Sequence, residues 1–244
     1  MTCRVSIIIP TLNEAATLER TLRCLTVLSP LPWEILIIDG NSEDETVSIA
    51  QNANISVFIS SERGRAQQMN QGAEIATGDV LCFLHADTFV PDDLIEIIDR
   101  TLADKTIAGG GFISLMTGKT KTRWFFSSLN TLKTFILPFL FRPFLFFKGF
   151  RLLFGDQVMF CRRDDFLACG GFDPLLPIME DADLCLKLTR YGRICQINRI
   201  VISSDRRVTK LGETKALAIY FYIAFLWFFG VSHTHLKQFY AEIR

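Results

Sequence analysis

The side chains able to do chemistry fall in a few short stretches. In LCFLHADT, residues 81–88, an apolar run breaks into His85, Ala86, Asp87 and Thr88. A carboxylate oxygen at Asp87 suits a hard cation such as Mg2+ or Mn2+. His85 can donate, accept or ligate, and a hydrogen-bonded loop histidine is the plainer reading. In ILIIDGNSEDET a second apolar run stops at Asp39, which serves a turn or cap as readily as a ligand. Glu180, Asp181 and Asp183 crowd into MEDADLCLKL. Their mutual repulsion raises at least one pKa, and a carboxylate so poised can take a proton from a hydroxyl. Each alone also fits the ordinary acidic preference of a helix's first turn. Arg63 and Arg65 open a helix, where basic groups oppose the dipole unless an anion binds there. A solvated charged turn is the alternative. Arg206 and Arg207 follow VISSD as an adjacent basic pair.

The elements that must position these groups alternate. Val5–Ile9 predicts a buried strand. A helix over about 14–28 follows, with Thr11 or Asn13 as cap and Leu18, Leu22 and Leu25 on one face. Glu34–Ile38 predicts a second strand. Ser42 and Glu45 form a capping box for a helix over about 43–52. Strands at 55–59 and 80–84 and helices at about 64–76 and 92–103 complete the first half. Such alternation predicts a parallel sheet wound by right-handed crossovers. The loops bearing Asn13, Asp39 and Asp87 then gather on one rim, where a nucleotide could bind. Beyond Ile107 the pattern changes to a short strand, a long aromatic section, a strand near 194–197 and an apolar C-terminal helix.

The totals set bounds. A chain of 244 residues that is 49% hydrophobic can bury a large core. A formal net charge of +0 argues against a nucleic-acid partner. Seven scattered cysteines with no CxxC pair read as free thiols in a reducing compartment, hence cytoplasmic. The first apolar stretch is too short for a signal peptide and is broken by Pro10.

Taken in order, SIIIPTLNEA, ILIIDGNSEDET, GDVLCFLHADT, GGFD and MEDADLCLKL resemble glycosyltransferase family 2, over roughly residues 4–197. The resemblance implies an α/β fold of GT-A type, with a Rossmann-like, mostly parallel sheet and helices on both faces. An apolar helical region would follow at the C-terminus. It implies one domain over 1–244: a nucleotide-binding half to about 105, an acceptor half over about 106–200 and a helical extension over about 201–244. It implies an inverting sugar transfer from a nucleotide-sugar, UDP-linked by family habit, to a hydroxyl acceptor. Asp181 would be the base, with Glu180 as runner-up or acceptor contact and Asp183 as a cap. Asp39 would accept a hydrogen bond from a uracil-type base, and Pro10, Thr11 and Glu14 would line base and ribose. Arg65 would contact phosphate or base, and Arg206 and Arg207 the diphosphate, which suits their planar forks. The family pattern Asp-x-Asp here reads His85-Ala86-Asp87. Asp87 would meet the divalent metal, Mg2+ or Mn2+, while His85 falls on the ribose position. Gly170 and Gly171 would let backbone approach the acceptor, with Asp156 of GDQVMF on the same side. Some GT-A enzymes complete the metal site with a C-terminal histidine; His233 and His235 stand in that region, though such histidines are more often surface residues than ligands.

Two rivals differ in class. A nucleotidyltransferase on a similar fold carries a Gly-rich basic loop after its first strand, where this chain has PTLNEAAT. A non-catalytic, membrane-associated nucleotide-sugar-binding protein need not keep Asp39, Asp87 and Asp181 together. The chain has 22 phenylalanines, and the segment 135–154 mixes many of them with Arg142, Lys148 and Arg151. Pro138 and Pro143 are expected to break any long helix there. The segment fits a peripheral membrane contact, a greasy acceptor pocket for a lipid or isoprenoid, or a buried hairpin. Residues 216–231 are apolar all round but short for a bilayer span.

Overall fold

The computed structural model describes residues 3–118, 121–176, 178–229 and 231. Its first half alternates as the hydrophobic runs dictate: β1 (Val5–Thr11), α1 (Ala15–Leu25), β2 (Glu34–Asp39), α2 (Thr46–Asn52), β3 (Ser56–Ile59), α3 (Arg65–Ile75), β4 (Val80–Phe83) and α4 (Leu94–Ala103). The second half contains β5 (Ile107–Thr117), α5 (Trp124–Phe141), α6 (Pro143–Phe147), β6 (Met159–Arg162), α7 (Arg163–Ala168), α8 (Glu180–Leu188), β7 (Arg193–Ser204), α9 (Arg206–Leu211) and α10 (Glu213–Phe228).

One seven-stranded sheet joins both halves in the order β3-β2-β1-β4-β6-β5-β7. Only β6 runs antiparallel to its neighbours. Alternate side chains of a strand face opposite ways, so each central strand feeds two cores. Ile8, Leu36, Ile38, Leu81 and Phe83 pack with Met69 and Ala73 of α3 and with Leu184 and Leu188 of α8. Ile7, Ile9, Ile37, Val80 and Cys82 pack on the other face with Leu18 and Leu22 of α1 and Ile98 of α4. Helices therefore cover both faces, and the C-terminal ends of β1, β2 and β4 share one rim.

Local expectations fail where side chains find distant partners. Thr11 does not cap α1; it ends β1 and its hydroxyl donates to Asp39 at 2.8 Å. Asn13 caps nothing either, its Oδ1 accepting from the Glu43 N–H. The Glu14 and Ala15 N–H groups are met instead by Thr46 Oγ1 and Asp44 Oδ2. The Ser42–Glu45 capping box is absent, because Ser42 is committed to Asp39. Strands β5 and β7 are far longer than expected and pair in parallel from Ile107↔Arg193 to Thr117↔Ser204. Helix α5 continues through Pro138 for 18 residues. Proline cannot donate to the carbonyl four residues back. Here that carbonyl, Thr134 O, accepts from the Leu152 N–H at 3.2 Å, so the helix loses no partner. Among the described residues no helix is long and apolar enough to cross a membrane.

Candidate active site

The rim is assembled by Asp39. Its buried carboxylate accepts from Thr11 Oγ1, from the Ser42 N–H at 2.7 Å and from Ser42 Oγ at 2.6 Å. The buried Gln68 of α3 donates to Thr11 O and Ile38 O, tying β1 and β2 together just below. Pro10 lies opposite Ile38 in that register. Further along the rim, Arg206 bridges two carboxylates. Its terminal nitrogens grip Glu14 at 2.5 and 2.7 Å, and its Nε lies 3.2 Å from Asp87 Oδ2. Arg206 opens α9 rather than lying on a loop. The side chain of Arg207 lies outside the described side chains, and His233 and His235 lie outside the described residues.

The acidic cluster divides by role. Met179, in a left-handed conformation (φ 68°), turns the chain into α8 and presents Glu180 and Asp181 inward. Both are buried. Arg65 spans them, with Nε 2.7 Å from Glu180 Oε1 and Nη2 2.6 Å from Asp181 Oδ2. Asp181 Oδ2 also accepts from the Gly155 N–H at 2.9 Å. Burial pushes the Asp181 carboxyl up to about 6; Arg65 and the Gly155 bond oppose the rise, and Glu180 adds to it. Glu180 Oε2 is buried and meets no donor among the described residues. Asp183 does not cap the helix but pairs with Lys187 at 2.8 Å. His85 Nε2 lies 3.0 Å from Arg65 Nη1. Arginine only donates, so this imidazole nitrogen accepts and the proton belongs on Nδ1.

These groups line a cavity of about 190 Å³. It brings together Arg65, His85, Asp87, Asp156, Glu180, Asp181 and Arg206 of the residues singled out in the sequence. Pro10, Thr11, Glu14 and Asp39 stand on the rim beside it and are not in its wall. Gly170 and Gly171 also stand apart. Their turn is held by Asn70, which bonds both the N–H and the C=O of Phe172, and by Lys187 on Gly171 O. Gly171 has φ +61°, and a Cβ there would come within 2.7 Å of Asn70 Oδ1, which requires glycine on packing grounds alone.

Other wall residues carry no motif. Asn130 and Lys133 of α5 reach the inner end, where Asn130 Nδ2 donates to Asp156 Oδ2 at 2.9 Å. Burial raises the Asp156 carboxyl and lowers the Lys133 ammonium, and the charge of each offsets the shift of the other. Thr88 Oγ1 is buried in the wall without a partner among the described residues. Gly155 is needed for close approach: a Cβ would lie 2.6 Å from His85 Nε2 and 3.1 Å from Asp181 Oδ2. This glycine opens the stretch GDQVMF, but only the contact makes its role visible.

Among the described residues no group of three or more His, Cys, Asp or Glu could by itself hold a metal ion. Asp87 nonetheless fits Mg2+ or Mn2+ of the substrate-assisted kind, which binds through one or two carboxylates plus phosphate oxygens. The guanidinium of Arg206 already places positive charge against this carboxylate.

The family model described as Glycosyl transferase family 2 matches residues 6–145, more than half of the chain. A PGL/p-HBAD biosynthesis glycosyltransferase of Mycobacterium bovis (strain BCG / Pasteur 1173P2) is 38% identical over 88 residues, 34% of each chain. Glycosyltransferase AglE of Haloferax volcanii is 33% identical over 91 residues, 34% of this chain and 30% of that one. The chain thus spans about a third of these curated relatives. Among solved structures, glucosyl-3-phosphoglycerate synthase from Mycobacterium tuberculosis, in complex with Mn2+, UDP and phosphoglyceric acid, superposes with a TM-score of 0.66 at 18% identity. That match covers 94% of this chain and 80% of the synthase. Mannosyltransferase PcManGT from Pyrobaculum calidifontis, in complex with GDP-Man and Mn2+, gives 0.65 at 21% identity over 83% of this chain and 57% of that one. At these identities the superpositions establish the fold, which is the GT-A arrangement those enzymes share. With the match to the family model running from β1 into α6, the chain belongs to glycosyl transferase family 2.

Proposed function

We propose that this chain transfers a sugar, with inversion, from a nucleotide-sugar to an acceptor hydroxyl, using Asp181 as the base. The observation that carries the reading is Asp181 itself. It is a buried carboxylate raised to about 6, in the wall of the same cavity as Asp87 and Arg206. Near neutral pH it is mostly ionised yet basic enough to take a proton, the condition a general base must meet.

The acceptor O–H gives its proton to a carboxylate oxygen of Asp181 as its oxygen bonds to the anomeric carbon. The bond from that carbon to the diphosphate breaks on the opposite side, and its electron pair leaves with the nucleoside diphosphate. Arg206 meets the growing charge on the diphosphate, and Arg65 balances the acid pair. Such charge stabilisation is worth several kcal/mol. Asp87 would hold a divalent cation, which would supply Lewis-acid neutralisation of the leaving diphosphate. His85 meets the ribose, and Asp39, Thr11, Pro10 and Glu14 form the base and ribose wall. Glu180 Oε2, with its unused acceptor capacity, orients the acceptor hydroxyl. Asp156 shapes the acceptor side, and Gly170 and Gly171, apart from the cavity, hold the turn at Phe172.

The donor is proposed to be UDP-linked. UDP is the nucleotide in the synthase complex, and Asp39 offers an acceptor for a pyrimidine N–H. Met116, Phe126, Ile178, Val208 and Ile223 line the cavity and support an acceptor with an apolar part, a lipid or isoprenoid alcohol. Free thiols at Cys82, Cys161 and Cys185 support a reducing, cytoplasmic location, with the protein peripheral at the membrane face. The test is a donor-hydrolysis and transfer screen across UDP- and GDP-sugars with Mn2+ or with chelator. Turnover of a UDP-sugar that needs the cation and is lost in Asp181→Asn is expected. Pyrophosphate release from a nucleoside triphosphate and a sugar phosphate would overturn the reading.

A further inference from the structure

Among the described residues, helices α5, α6 and α10 carry an exposed apolar face. Phe144 is 70% exposed, Phe147 77%, Leu140 62% and, just past the end of α10, Phe229 63%. Phe135, Ile136 and Phe139 of α5 and Phe225 of α10 add to it. The rings are organised: Phe139 packs edge-on against Phe146 and Phe147, and Phe141 against Phe229, which joins α5 to α10. Isolated exposed apolar residues are ordinary, but a contiguous face of this kind marks a docking surface.

Charge selects the occupant. From residue 121 to residue 155 there is no Asp or Glu. The charges within the face are Arg142 and Lys148, both exposed, and Arg151. Lys148 Nζ sits 4.4 Å over the Phe144 ring, and the Arg151 guanidinium 4.1 Å over Phe146. A protein interface has a charge-depleted core bordered by a polar rim. Aromatic rings interleaved with basic groups alone fit the headgroup layer of an anionic bilayer. The face is also the outer side of the cavity wall: Asn130 and Lys133 of α5 and Ile223 of α10 point into the cavity.

We infer that α5, α6 and the outer face of α10 seat this protein on an anionic lipid bilayer, with the cavity directly behind the contact. The contact gives the peripheral location and an apolar acceptor their physical means, yet stands independently of the base and of the donor. The test is co-sedimentation of the full chain with vesicles of phosphatidylcholine alone or mixed with phosphatidylglycerol. Binding is expected to the mixed vesicles, to weaken with salt, and to be lost to neutral ones. Arg142→Gln and Lys148→Gln should each weaken it roughly five-fold. The pair Phe144→Ser with Phe147→Ser should weaken it roughly ten-fold or more. UDP-sugar hydrolysis in solution and the melting temperature should be unchanged in all of them, which separates a failed surface from a failed active site. Because wild-type binding and its salt dependence are measured without mutation, a misfolded variant leaves the test intact. No binding to either vesicle, or equal binding to both, overturns the inference. So does a wild-type dimer that the Phe144/Phe147 change makes monomeric, since a second copy would then be the occupant.

Discussion

Replacing Asp181 by Asn keeps the size of the side chain and its bond from the Gly155 N–H but removes the proton acceptor. Transfer should fall roughly a hundred-fold to ten-thousand-fold, the range for a lost general base. Stability should move the other way. Burial raises this carboxyl from 3.8 to about 6, so the folded state binds the proton more tightly than the unfolded one. A tenfold difference in proton affinity is about 1.4 kcal/mol, so ionisation costs the fold about 3 kcal/mol. The sign follows: the cost is fully present above pH 6, falls to roughly half by pH 5, and vanishes below 3.8. Asn cannot ionise and escapes it, less whatever the weaker bond to Arg65 gives up. The variant should melt a few degrees higher than wild type at pH 8, with a smaller gain at pH 5. Wild-type single-turnover transfer should show an acidic limb near pH 6, absent from the variant. Transfer near the wild-type rate in Asp181→Asn, with Glu180→Gln inactive, would refute the assignment and make Glu180 the base. A lower melting point at both pH values would show that the ionised carboxylate is structural.

Asp87→Ala should abolish cation-dependent donor binding by calorimetry, whereas His85→Ala should weaken the donor and leave the cation requirement; loss of that requirement in His85→Ala alone would move the metal to the histidine. Gly155→Ala places a Cβ 2.6 Å from His85 Nε2 and 3.1 Å from Asp181 Oδ2. Donor turnover should collapse, and the overpacking should cost about 1–3 kcal/mol of unfolding free energy. Asp39→Ala strands the Thr11 hydroxyl and the Ser42 N–H and hydroxyl beside a buried site. It should cost about 1–3 kcal/mol in denaturant unfolding and weaken uridine more than pyrophosphate; equal loss for both ligands would mean that it does not read the base.

The fold is legible where a strand is buried on both faces. β1, β2 and β4 are continuous β-branched and aliphatic runs, and their ends fall close to the expected positions. Strand β7 is not, because RICQINRIVISS lies at the sheet edge and mixes exposed Arg193, Asn198 and Arg199 with exposed Ile200 and Ile202 and buried Ser203, so neither clean alternation nor a continuous apolar run marks it. The capping box fails for a different reason. Ser42 has a local option at Glu45 and a distant one at Asp39, and the buried carboxylate wins because leaving it short of donors costs more than an uncapped helix end. Pro138 follows the same rule: its cost depends on whether Thr134 O finds another donor, and Leu152 provides it.

The chemistry of the site divides along the same line. Carboxylate identity is written in residue types, so Asp87 and the Glu180–Asp181 pair stand out unaided. What sets their behaviour comes from far along the chain. Arg65 reaches Asp181 across 116 positions, and Gly155 reaches it across 26. Lys133 comes from a helix whose aromatic sequence advertises only its outer face. Repulsion among neighbouring acids predicts that one pKa rises but cannot say which. The contacts favour Asp181, whose Oδ2 is aimed by the Gly155 N–H and tempered by Arg65, so it stays ionisable instead of being driven permanently neutral. Glu180 keeps one oxygen on Arg65 and the other free to accept, the arrangement expected of a group that holds a hydroxyl in place. A base must be buried enough to want a proton and paired enough to release it. That balance is a property of the assembled wall, which is why the sequence could name both acids yet only the fold gives a reason to choose between them.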